Sequence, residues 1–254
     1  MRAAPLACAW CALVATAAIA QEASPTPWEF RAEAQHDNLD HGQPDWSEEL
    51  LQLAWKPRRG LAILGGARAT GRFDQRDREG FAAGYLPLTP TTTLHIEGSA
   101  SGTHHVLARD SGLAEVAQEL GGGWVASIGG KLARYDTGDV RIGSLTIEKY
   151  LGDWRLAYTG YLSRADDGGW APAHRLAATW YRDTLTFVTA SVATGREVEN
   201  VLPQGLVSTD VRAYALGGGL GLGRAWGLSL DAGHVRQGDL YTRRYARLGL
   251  RVLF

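Results

Sequence analysis

The chain has 254 residues and carries 26 Lys and Arg against 27 Asp and Glu, a net charge of -1. That balance argues against a nucleic-acid partner, because binding phosphate needs a basic surplus. Glycine reaches 32 residues, with nine Trp and nine Tyr but only two Cys and one Met, a profile unlike an ordinary cytosolic α/β enzyme.

The first residues read as an export signal. Met1-Arg2 gives a positive start, Leu6 to Ala20 is an uncharged apolar run, and Ala18-Ile19-Ala20 precedes Gln21-Glu22. This pattern predicts a signal peptide over residues 1–20, cleaved after Ala20. The run is too short for a bilayer helix, which needs about 20 residues. Cleavage removes Cys8 and Cys11, so the mature domain, residues 21–254, has no thiol. A disulfide, a thiolate metal site and a Cys nucleophile are thereby excluded. No later apolar run is long enough for a transmembrane helix. An exported soluble protein and an outer-membrane barrel are the classes left.

Beyond the signal the sequence alternates with period two, the strand period. Trp28, Phe30, Ala32 and Ala34 alternate with Glu29, Arg31, Glu33 and Gln35. The same pattern runs through Leu51-Leu53-Trp55, Leu94-Ile96, Trp154-Leu156-Tyr158, Trp226-Leu228-Leu230 and Leu248-Leu250-Val252-Phe254. Only Leu113 to Leu120 hints at a short helix. Tight breaks (57–60, 87–90, 121–123, 152–153, 182–183, 223–225) interleave with mostly longer, polar ones (38–45, 74–79, 102–112, 136–139, 165–172, 196–210, 237–239). Short periplasmic turns and longer extracellular loops are the layout of an outer-membrane barrel. The fold class expected is all-β: an antiparallel transmembrane β-barrel of about fourteen strands. Twelve is the alternative if 80–88 and 112–120 are not strands.

Two further features favour a membrane barrel over a soluble sandwich. Trp28, Trp55, Trp124, Trp154, Trp180 and Trp226 all abut the mature N-terminus or a short turn, so they would share one level of the barrel. Indoles favour the headgroup depth of a bilayer. The chain closes on Arg247-x-Gly249-x-x-Val252-x-Phe254, which reads as a C-terminal assembly signal for the barrel-insertion machinery.

The mature chain resembles the YaiO family of outer-membrane β-barrels. The resemblance rests on Trp28-Glu-Phe with Asp37-Asn-Leu39, on Asp45-Trp46, on Arg72-Phe-Asp74, and on Asp239-Leu-Tyr241 leading through Arg247-Leu-Gly249 to Phe254. Many members carry an N-terminal helical repeat region, which this chain lacks, so no partner of that region transfers. The resemblance implies an outer-membrane location and no reaction.

Alternation places Arg31, Glu33, Arg68, Arg72, Glu97, Glu119, Lys131, Glu148, Arg155, Arg175, Asp231, Arg247 and Arg251 in the lumen. Basic residues outnumber acidic ones in that set. One reading is a solvated, mutually paired lumen that fixes the wall. The other is a narrow passive channel for small solutes whose arginines favour anions. A closed accessory barrel serving surface polysaccharide or lipid is a further alternative. Enzyme readings are weak. There is no G-x-S-x-G, Ser101 and His104-His105 share a loop base without an orienting acid, and Asp/His protease chemistry at the rim could use Asp37, Asp40, His36 and His41 with Asp74 or Asp77. Metal spacing is unspecific at His104-His105 with Asp110 and at Asp136 with Asp139, and no metal or cofactor is expected. The partners expected are outer-membrane lipid, lipopolysaccharide and the insertion machinery.

Overall fold

The computed structural model describes residues 27–166, 168–201 and 205–254. The expected signal, residues 1–20, lies outside them. Fourteen antiparallel strands form one closed barrel in sequence order, β1 pairing with both β2 and β14. They are β1 (Trp28–Leu39), β2 (Trp46–Arg58), β3 (Leu61–Arg72), β4 (Gln75–Pro87), β5 (Thr92–Ser101), β6 (Asp110–Gly121) and β7 (Trp124–Tyr135). Then follow β8 (Gly138–Leu151), β9 (Trp154–Ala165), β10 (Ala171–Tyr181), β11 (Phe187–Val201), β12 (Gly205–Gly221), β13 (Trp226–Gln237) and β14 (Tyr241–Leu253). Both stretches that left twelve strands open are strands, within β4 and β6. Leu113 to Leu120 is not a helix: it pairs on both sides, Leu113 with Glu97 and with Lys131.

Both described chain ends lie at one end of the barrel, called here the terminal end; the connections there are short. The other, far end differs from the sequence expectation in three places. The polar stretch 74–79 is mostly strand, because Phe73-Asp74 alone makes the turn, with φ of 49° and 59°. Two left-handed residues in succession match the twist of a two-residue hairpin. The stretch 136–139 likewise contains a two-residue turn between Tyr135 and Gly138. The stretch 196–210 is mostly ladder rather than loop. It continues the β11–β12 ladder from Arg196↔Asp210 to Val201↔Gly205. Cross-strand pairing satisfies the polar backbone there, as a polar sequence run alone cannot reveal.

Outward positions carry the apolar side chains, among them Leu51, Leu53, Ile63, Ile128, Leu145, Leu216, Leu230 and Leu248, all exposed. Inward positions are mostly polar or small, with a minority of larger apolar side chains such as Leu50, Phe81 and Leu113 among them. This inversion of a soluble core is what lipid outside and water inside demand. Three inward glycines each sit directly opposite an aromatic ring: Gly66↔Phe81, Gly219↔Phe187 and Gly233↔Tyr245. A Cβ on Gly66 would come 2.6 Å from the Phe81 ring, and one on Gly233 2.3 Å from that of Tyr245. The missing side chain lets the ring lie flat over the neighbouring strand and pins the register.

Candidate functional site: the lumen and its far mouth

Every lumen residue singled out in the sequence occupies an inward position of its strand. Arg31 and Glu33 lie on β1, Arg68 and Arg72 on β3, Glu97 on β5 and Glu119 on β6. Lys131, Glu148, Arg155 and Arg175 follow on β7 to β10, Asp231 on β13, and Arg247 and Arg251 on β14. The list was incomplete. The described strands also turn Glu29, Asp37, Glu48, Asp77, Glu79, Glu115 and Glu197 inward, against only Lys56 and Arg243. The basic surplus inferred from sequence is thereby erased. Most of the omitted positions are far-end strand positions; Glu29 at the start of β1, Lys56 at the end of β2 and Glu115 in mid-β6 are the others.

The paired inward charges fall mainly into two groups. The first closes the barrel. Acids on β1 alternate with bases on β14 at every fourth residue: Glu29 meets Arg251 at 2.6 Å, Glu33 meets Arg247 at 3.7 Å, and Asp37 meets Arg243 at 3.2 Å. Arg31 bridges Glu29 and Glu33, and Lys56 reaches Glu29 at 2.9 Å. Gln35 accepts from Arg247 and donates to Asp37. Arg68 joins Glu48 and Glu79 nearby. The second group lies across the lumen, where Arg155 pairs with Glu148 and the Tyr150 hydroxyl donates to the same carboxylate.

The far mouth is packed. Trp46 points inward and is only 2% exposed. The Arg72 and Arg243 guanidinium groups lie 4.5 Å and 5.2 Å from its ring, while Phe73 and Tyr241 meet it edge-on at 5.2 Å and 5.4 Å. Desolvated cation–π contacts of this kind are worth about 2 kcal/mol each. Phe73 holds a left-handed φ that a bulky residue rarely adopts, and its contact with Trp46 offsets that strain.

Beside it the segment between β5 and β6 folds inward. Val106 and Leu107 are buried. The Asp77 carboxylate accepts the Val106 N–H at 2.5 Å and the Leu107 N–H at 3.0 Å, and contacts His105 Nδ1 at 2.9 Å. His104 turns to Asp136 at 3.0 Å. Sequence reasoning placed these histidines at a loop base without an orienting acid and missed Asp77 and Asp136 as their partners. The one available signal was that Trp46, unlike the six turn-end tryptophans, sits at a far-end strand start.

Those six, Trp28, Trp55, Trp124, Trp154, Trp180 and Trp226, point outward at the terminal end. Trp28 faces Trp55 and Trp154 faces Trp180 across strand pairs. Of the C-terminal residues, Arg247 joins the β1–β14 seam and Val252 faces Trp226. Gly249 leaves room for Ser229, whose Oγ would stand 2.3 Å from an added Cβ. Phe254 is exposed and exchanges two backbone hydrogen bonds of 3.0 Å with Trp28. Among the described residues no group of three His, Cys, Asp or Glu is placed to hold a metal.

Among solved structures the chain is similar to a bacterial polysaccharide outer membrane secretin, at 9% identity and a TM-score of 0.57, covering 90% of this chain and 99% of that one. It is also similar to OpdO of Pseudomonas aeruginosa, at 12% identity and a TM-score of 0.51, covering 89% and 96%. At such identities these likenesses speak to the fold alone, an outer-membrane barrel. No curated protein matches the sequence. The family description "YaiO membrane beta barrel domain" matches residues 29–200, and the chain belongs to that family of outer-membrane β-barrels.

Proposed function

We propose that the protein is a non-catalytic outer-membrane conduit for small polar solutes whose far mouth, facing the cell surface, is shut at rest. The observation that carries this reading is the inward fold of the 102–109 segment onto Asp77 beside the Trp46 stack. Below that packing the lumen is lined by charged and tyrosine side chains, which suits a wet path rather than an apolar core. Many of the wall charges are paired, among them Glu29, Glu33, Glu148 and Arg155, and the wall carries no cationic excess, so the path has no built-in preference for anions.

A closed accessory barrel is the second reading, favoured by the same packing at the mouth. Planar-bilayer conductance separates the two. The parent protein should give rare or no current steps, and Asp77→Asn, which frees the 102–109 segment, should give frequent steps. A folded Asp77→Asn protein that stays silent, together with a silent Trp46→Ala protein, overturns the conduit.

We propose three further roles. Trp28, Trp55, Trp124, Trp154, Trp180 and Trp226 serve as the periplasmic interface ring. Residues 1–20 serve as the cleaved signal for residues 21–254. Arg247, Gly249, Val252 and Phe254 serve as the signal read by the insertion machinery. Deleting Phe254 should lower the amount of barrel recovered in the outer membrane several-fold; unchanged recovery would remove that role.

A further inference from the structure

On the outward face at the far end of β12, β13 and β14, cations stand directly against one another. Arg212 is the cross-strand partner of Arg236, and His234 is that of Arg244. Like charges directly opposite in a sheet are destabilising, so the arrangement needs a counter-charge. At several other places on this rim the protein supplies one. Arg76 pairs with Glu49, Arg134 with Asp110 and Arg141 with Asp166, and Arg196 stands opposite Asp210. Within the patch Arg236 reaches Asp239 at 3.2 Å. Arg212 and Arg244 are exposed and meet no protein partner among the described residues.

The surface below the patch is apolar. Tyr214, Leu216, Leu230 and Leu248 are each more than half exposed on the same three strands. The height of the cations is set by the strands. Arg236 lies about ten residues from Trp226, and Arg244 about ten from Phe254, which is roughly 25 Å at about 3.3 Å per residue and a tilt of about 40°. That matches the roughly 25 Å apolar band of an outer-membrane barrel. The free guanidinium groups therefore stand at the headgroup level of the opposite leaflet, directly above a surface suited to acyl chains.

We propose that Arg212, Arg236, Arg244 and His234 form a binding site for the phosphate groups of a phosphorylated glycolipid, lipopolysaccharide, whose acyl chains lie along Tyr214, Leu216, Leu230 and Leu248. The chemistry is a charge-assisted hydrogen-bonded clamp on phosphate oxygens, for which arginine is well suited. The proposal rests on the outer-membrane placement and not on whether the lumen conducts.

The test uses the full mature protein in detergent, with purified lipopolysaccharide and its dephosphorylated form as probes. The parent should bind the phosphorylated lipid at least tenfold more tightly than the dephosphorylated one. R212Q/R244Q should lose about that factor, while R212K/R244K and the distant R134Q retain binding. Heat-modifiable gel mobility verifies that each variant is folded, and the single variants R212Q and R244Q serve if the double variant is not. Equal affinity of the glutamine variants and the parent overturns the site. So does indifference to the lipid phosphates, or full displacement of the lipid by millimolar inorganic phosphate, which would indicate a site for free phosphate.

Discussion

Asp77 shows how one side chain sets the state of a whole mouth. It turns inward, fully buried, and satisfies two backbone N–H groups of a segment with no ladder of its own. Removing such an acceptor leaves buried donors unsatisfied, at about 1–3 kcal/mol. Asp77→Ala should therefore expose the 102–109 segment to protease while the barrel stays folded; a segment still resistant would show that other contacts hold it. Asp40 acts in the same way outside the strands. The Thr242 amide, donating to its carboxylate and aided by His41, outweighs desolvation and holds its pKa down at about 2. A depressed carboxylate stabilises the fold above its unfolded value of about 3.9 and loses that contribution as pH falls towards 2. The melting temperatures of the parent and of Asp40→Asn should differ above about pH 4 and converge near pH 2. Neither role was legible in the sequence. Asp40 and Asp77 read as loop acids, because period-two alternation says nothing about which amides lie across the barrel.

Among the elements, the hairpins were the most legible and their outer ends the least. Trp28, Trp154 and Trp226 sit at strand starts next to turns, so alternation from them fixed face and count. At the far end, polar runs such as 74–79 and 196–210 resemble loops in composition, yet they pair as strands. Polar residues remain extended when cross-strand hydrogen bonds hold them, and a strand that projects beyond a bilayer has no need of apolar faces. The glycine–aromatic pairs mark the elements differently. A branched side chain at Gly233 cannot share space with the Tyr245 ring, so Gly233→Val should lower the melting temperature by several degrees. Gly80, whose added Cβ would meet only the Gly66 carbonyl oxygen at an ordinary 4.0 Å, should tolerate alanine without such loss. Equal effects at the two sites would remove the register-pinning role.

The whole molecule combines a lipid-facing exterior with a paired, polar interior. Its balanced composition hid this inversion, because opposite charges inside cancel in the total. With the far end assigned to the cell surface, a tag inserted at Asp239 should be labelled on intact cells and one at Arg59 should not; the reverse result would invert the orientation. The ion-paired seam bears on an earlier stage, when the sheet is still open. One free edge then presents Glu29, Glu33 and Asp37, and the other presents Arg243, Arg247 and Arg251. Two nascent sheets meeting through the same edge would set acid against acid or base against base. The polarity of its two edges thus lets an unfinished sheet reject a like edge and accept the complementary one, which is most readily its own.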